Sequence, residues 1–186
     1  MWSLKKNKEK HMKNIFTLLL FLSVSVTSFA QVDAYSEDVK KCVISNGTMS
    51  YYDDVMEQMY QMLKVQFTDK KVPDAIWTEV KKGKSVAMDE LAQMMVSAYR
   101  GHFTHEDVKK MNTLYASKAG KSMFKKDGLS EGDKVILNEF YKSDTGQKIL
   151  GSQDSMNESM SRISEMWSSG VYRGVIALLS EKGYNL

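Results

Sequence analysis

The chain has 186 residues, with 26 Lys+Arg against 23 Asp+Glu, one Pro and one Cys. A single cysteine excludes an internal disulfide framework, and one proline with 11 glycines excludes collagen-like and Pro-rich low-complexity chains. At 42% apolar and 26% charged residues, the chain can bury a core.

The first 30 residues read as an export signal. Lys13 precedes the apolar run Ile15–Val26, and Ser28 and Ala30 place small residues at the −3 and −1 sites of a cleavage point before Gln31. The run is about a dozen residues, short of the ~20 that span a bilayer. Met12 reads as the natural start, which makes residues 1–11 an upstream extension or a long basic n-region. The expected organisation is a signal peptide, 1–30, and one exported all-α domain, 31–186, in the periplasm or secreted, with no transmembrane helix after cleavage. Removing the five lysines and one glutamate of residues 1–30 leaves 21 basic and 22 acidic residues, a net charge of −1. A near-neutral domain offers no electrostatic case for nucleic acid.

Beyond the leader, helical periodicity dominates. Val39, Val43 and Ile44 share a face of a first helix, with Ser36 as a cap and Asn46-Gly47 as a stop. Ser50 with Asp53 predicts the next helix start, and Val55, Met59, Met62, Leu63 and Phe67 its apolar face. Thr68–Val72 reads as a loop. Pro73 fits the first position of a short helix carrying Ile76, Trp77 and Val80, stopped by Gly83. Leu91, Met94, Met95, Ala98 and Tyr99 form the following stripe.

The chain then repeats. Residues 103–124 align without gaps on 129–150, with five identities: Asp107/Asp133, Asn112/Asn138, Tyr115/Tyr141, Ser117/Ser143 and Gly120/Gly146. The period predicts a duplicated helix hairpin. Thr104 and Ser130, each three residues before an aspartate, predict capping boxes, and Phe103 with Val108 a hydrophobic staple. Ser117 and Ser143 predict caps of second helices. Glycine in a first helical turn, twice at the same place, predicts a close backbone approach. Tyr115 and Tyr141 end their helices, with hydroxyls expected to meet loop carbonyls. A long C-terminal helix follows. Ile149, Gln153, Met156, Met160, Ile163 and Trp167 make a 4-3-4-3-4 seam, and Gly170 and Gly174 are expected to interrupt or kink the helix.

Certain of these residues carry a resemblance. His102-Phe103-Thr104-x-Glu106 followed by Leu114-Tyr115-x-Ser117-x-x-Gly120-Lys121 resembles the signature of the bacterial family catalogued as domain of unknown function 2059. Phe140-Tyr141-x-Ser143-x-x-Gly146-Gln147-Lys148 is similar, as are Trp77 and Tyr99 to the family's upstream aromatics. The resemblance runs from about Val72 to Trp167; Lys118 and Asp144 stand where members often carry proline. It implies a small, exported, all-helical protein, and no activity.

Candidate chemistry is sparse. Met56, Met59 and Met62 offer thioethers of the kind that suit Cu(I), although steps of three drift around a helix, so that Met56 and Met62 point apart. His102 and His105 could contribute to a zinc site, which needs three or four ligands. Gly83-Lys84-Ser85 and Gly120-Lys121-Ser122 lack the earlier glycine of a phosphate loop. Cys42 reads as a buried small residue. No catalytic, cofactor-binding or metal residue is therefore assigned. The leading expectation is a non-catalytic helical interaction module of the cell envelope, meeting an envelope protein or component through the 149–167 seam. A metal or small-ligand carrier, holding Cu(I) through Met or Zn through His, is the second reading, and an envelope-polymer enzyme the third.

Overall fold

The computed structural model describes residues 34–125 and 128–186. The leader and its cleavage point lie outside these residues. The chain divides into two units, Met1–Glu37 and Asp38–Leu186. Of the first, residues 34–37 are described and are helical, so Ser36 lies within helix rather than at its cap.

The second unit is all-α. Its elements are α1 (38–45), α2 (Thr48–Gln66), a 3-10 turn (Thr68–Lys70), α3 (Asp74–Lys81), α4 (Lys84–His102), α5 (His105–Ala116), α6 (Lys118–Ser122), α7 (Glu131–Lys142), α8 (Asp144–Gly151) and α9 (Gln153–Glu181). Asn46-Gly47 ends α1 as expected, and Gly47 takes the left-handed conformation at φ 80°. The same pair also starts α2. Asn46 Oδ1 accepts from the Thr48 N–H at 3.0 Å, so α2 begins before Ser50 and its predicted box with Asp53 does not form. Pro73 precedes α3 instead of opening it, and Asp74 is the first helical residue.

The buried stripe of α2 is Tyr52, Met56, Tyr60, Leu63 and, just past its end, Phe67. The expected stripe through Val55, Met59 and Met62 is rotated from it, because the two tyrosines bury their rings. Tyr52 stands edge-on to Trp167 with centroids 5.5 Å apart, and Phe67 edge-on to Trp77 at 6.3 Å.

The duplication is a structural one. Thr104 Oγ1 accepts from Asp107 N–H while Asp107 Oδ2 accepts from Thr104 N–H at 2.9 Å; Ser130 and Asp133 repeat the pattern at 3.2 Å. Ser117 and Ser143 then cap α6 and α8 by accepting from the Gly120 and Gly146 N–H groups at 3.0 and 3.2 Å. The two glycines answer the prediction of close approach. A Cβ on Gly120 would fall against the Leu114 carbonyl oxygen, and one on Gly146 against that of Phe140, far inside van der Waals distance. The approaching backbone is the end of the preceding helix, so each glycine lets its hairpin turn back within one residue. Leu114, Ala119 and Leu137 form the core between the copies, with Tyr115, Met123, Leu129 and Phe140 against it. Phe103 and Val108 are both buried, as a staple requires.

Helix α9 lies along α4. It starts at Gln153, so Ile149 belongs to α8, and of the expected seam only Trp167 is fully buried. Gly170 and Gly174 do not break the helix, which runs unbroken for 29 residues. Each glycine costs about 1 kcal/mol against alanine in a helix interior. Burial of Trp167, Val175 and Leu179 on one face offsets that cost.

Candidate functional site

A largely apolar groove of about 400 Å³ is bounded by α9 on one side and by α2, α3 and α4 on the other. Trp167 anchors it. Its Nε1 donates to the Ala87 carbonyl at 2.8 Å, which joins α9 to α4 and fixes the indole face. Met56, Met94, Val86, Val171 and Val175 continue the apolar lining, and Gly170 and Gly174 present bare backbone where α9 borders it. Nothing lies within 4 Å of a Cβ built on either glycine, so both face open space. Glu79 and Glu90 also line the groove; Glu79 is paired with Lys182 at 2.8 Å. This surface can receive an apolar segment and bring a backbone close to α9. The glycines expected to break the helix are instead part of the groove wall.

A second, shallower concavity of about 640 Å³ lies between α2 and α9. Met59 and Met62 of α2 and Met166 of α9 line it, with Glu165, Tyr172 and Arg173. Of the sequence-predicted thioethers, Met56 is only 1% exposed and faces the first groove, while Met62 is 53% exposed; they point apart as the helical drift predicts. Met166 is not among the expected donors, because no local spacing links it to α2.

A cleft of about 270 Å³ collects residues that carry the family resemblance. Tyr99 and Phe103 at the end of α4, Tyr115 from the first copy and Tyr141 from the second all line it, together with Gln153 and Asn157 of α9. Tyr99 and Phe103 rings are 5.6 Å apart. Asn46 Nδ2 donates to the Tyr99 hydroxyl at 3.5 Å. The Asn46 side chain also favours the ionised Tyr115 hydroxyl, an effect that burial outweighs. Burial, reinforced by the neighbouring Cys42, holds both tyrosine hydroxyls well above their usual range. Cys42 is fully buried; burial pushes its thiol up to about 12, which the neighbouring Tyr99 hydroxyl only partly opposes.

The two histidines are not brought together on one ligand site. His105 Nε2 lies 2.7 Å from Asp38 Oδ2 of α1, whereas His102 Nδ1 lies 3.5 Å from Ser155 Oγ of α9. Among the described residues, no group of three or more His, Cys, Asp or Glu side chains could hold a metal ion. Nor, among those residues, is any helix long and apolar enough to cross a membrane.

Residues 89–130 match the profile of a bacterial family described as "uncharacterized protein conserved in bacteria (DUF2059)". The matched span runs from within α4 through α6 to the cap of α7, and holds Tyr99, Phe103, Tyr115 and Gly120. It agrees with the resemblance read from the sequence, over a shorter stretch than Val72–Trp167. No curated protein and no solved structure matches the chain.

Proposed function

We propose that this chain is an exported, non-catalytic interaction module of the cell envelope, whose groove between α9 and α2–α4 receives an apolar helical segment of an envelope protein. The observation that carries the reading is the wall of that groove: Trp167 pinned to Ala87, a partly exposed Met94 side chain, and two glycines exposing the α9 backbone. Methionine side chains adapt to varied apolar shapes, and glycines let a second helix come close. Glu90 adds a carboxylate that favours a basic residue on the partner. Export rests on the leader in residues 1–30, with its basic start, short apolar run and small residues before Gln31.

Site-specific photo-crosslinking in the native envelope tests it. Val86 lines the groove and is 59% exposed; Val135 lies on α7 and is equally exposed at 63%. A photoreactive residue at position 86 is expected to give a discrete protein adduct that position 135 does not give. Equal labelling at the two positions, or none at 86, overturns the reading.

A further inference from the structure

The cleft of about 270 Å³ between the end of α4 and the start of α9 differs in composition from both larger concavities. None of the described side chains lining it is charged, whereas Glu79 and Glu90 line the apolar groove and Glu165 and Arg173 the shallower concavity. Tyr99, Phe103 and Met111 are its buried members, each at most 8% exposed. Its open side is aliphatic: Ile149 and Met156 are half-buried, and Leu150 is 51% exposed. The volume lies below the ~300–1,000 Å³ of pockets that enclose a whole small molecule. It suits one large apolar side chain, presented by a chain that itself stays outside.

Two side-chain amides stand at that opening. Gln153 and Asn157 line the cleft from α9 and are exposed, and no hydrogen bond joins either carboxamide to another described residue. Four residues apart, they share a helix face and stand about 6 Å apart along the axis. Alternate residues of an extended chain turn their N–H and C=O groups to the same side, about 6.7 Å apart. The spacings match. Each carboxamide oxygen can accept from one backbone N–H while its NH2 donates to the C=O of the same residue, and the residue between the two pairs can direct its side chain into the cleft. The start of α9 is also held. Ser152 Oγ donates to the Lys148 carbonyl of α8 at 2.8 Å, and Ser155 Oγ lies 3.5 Å from His102 Nδ1 at the end of α4.

We propose that this cleft binds an extended, uncharged peptide segment, with Gln153 and Asn157 pairing with its backbone and one apolar side chain filling the space beside Phe103. A sugar would also use aromatic rings and carboxamides, but Ile149, Leu150 and Met156 offer its hydroxyls no partner. The site stands apart from the groove between α9 and α2–α4, with which it shares no lining residue.

Titration of the isotope-labelled chain with capped pentapeptides, followed by NMR, tests the proposal. The peptides are built from valine and threonine, which favour extended backbone, around a varied central residue. Those with leucine or phenylalanine at the centre are expected to bind at roughly millimolar affinity and to shift the Gln153 and Asn157 NH2 signals. Lysine or glutamate at the centre, or N-methylation of the two residues flanking it, should weaken binding at least about fivefold, the worth of one hydrogen bond. Gln153→Ala and Asn157→Ala should each do the same, with the Leu150 backbone amide as reporter. Both positions are exposed, so the fold should hold, and Gln58→Ala on α2 should leave the affinity unchanged. Absence of shifts with both apolar-centred peptides, equal binding of the N-methylated peptide, unchanged affinity in the Gln153/Asn157 double variant, or N-acetylglucosamine shifting the same signals more strongly than the peptides each overturns the site.

Discussion

Thr145 Oγ1 donates to Asp107 Oδ1 at 2.8 Å, and this bond joins the second helix of one repeat copy to the first helix of the other. Thr145 is 1% exposed and Asp107 5%. The other oxygen of Asp107 takes the Thr104 N–H and hydroxyl and the Lys148 ammonium. One carboxylate thus caps its own helix and ties the hairpins together. Its counterpart Asp133 keeps the cap, but Ala119 and Ser122 stand where Thr145 and Lys148 stand for Asp107. The duplication has diverged so that a single aspartate carries the link.

Burial opposes the charge of Asp107, and the Lys148 ammonium with the Thr104 and Thr145 hydroxyls outweighs it, holding the carboxyl well below the usual carboxylate range. A group depressed in the folded state contributes stability above its unfolded value of about 3.9, lost as pH falls through the folded value. Stability should therefore fall steadily below about pH 4. Asp107→Asn is expected to cost ~2–3 kcal/mol near neutrality, since it leaves Lys148 unpaired and a cap weakened. It should also flatten the acid limb, while Asp133→Asn keeps the link between copies and costs less. Urea melts of the three proteins from pH 7 to pH 3 check both the size and the slope.

Gly120→Ala and Gly146→Ala should reverse the usual sign of a helical glycine-to-alanine change. The substitution ordinarily gains about 0.5–1 kcal/mol in a helix. Here the added methyl collides with the preceding helix's last carbonyls, and the backbone, not a flexible side-chain tip, must move. A loss of more than ~2 kcal/mol is expected at each. Gly101→Ala supplies the comparison: it lies within α4 with nothing within 4 Å of its Cβ, and should raise the melting temperature. Equal gains at positions 101, 120 and 146 in thermal melts would disprove the steric account.

The features legible in the sequence are local. Thr104 with Asp107, and Ser130 with Asp133, are capping boxes because both partners lie within one turn, and the glycine repeat at 120 and 146 marks a tight hairpin for the same reason. The α2 stripe runs through Tyr52 and Tyr60, whose side chains are buried although each carries a hydroxyl, so apolar spacing alone passes over them. Ser50 looks like a cap, but Asn46 reaches the Thr48 N–H first. The sites are less legible because they are long-range. Met166 lines the same concavity as Met59 and Met62 from more than a hundred residues away in sequence, and Trp167 meets Ala87 across 80. The three tyrosines of the third cleft are each visible singly; their convergence needs the hairpins to fold back.

Cys42 offers a probe of how tightly the tyrosine cluster is closed. A thiol pushed up to about 12 is almost wholly protonated at pH 8, and its fully buried position denies access to reagents. Reaction with an aromatic disulfide reagent should be slower than that of a free thiol by at least a thousandfold in the native chain. It should become fast in urea at the unfolding midpoint. Tyr99→Phe removes the hydroxyl that meets Cys42 and Asn46 while keeping the ring, and is expected to raise the native rate through local opening. Rapid native labelling of the unaltered chain would contradict the buried placement.

The wall of the apolar groove can be altered without touching its anchors. Gly174 has open space where a Cβ would stand and sits within continuous helix, so Gly174→Leu should fill the groove and also gain helix propensity, on the order of 1 kcal/mol. The melting temperature should hold or rise by a few degrees. Adduct formation from a photoreactive residue at position 86 should be lost at the same time. Trp167→Phe works in the opposite direction: it keeps an aromatic in the wall but removes the bond to Ala87, whose carbonyl keeps its α4 helix bond, at a cost of ~1 kcal/mol. A stable Gly174→Leu variant that still crosslinks as the unaltered chain does would detach the groove from partner binding, because nothing but occupancy of that space distinguishes the two proteins.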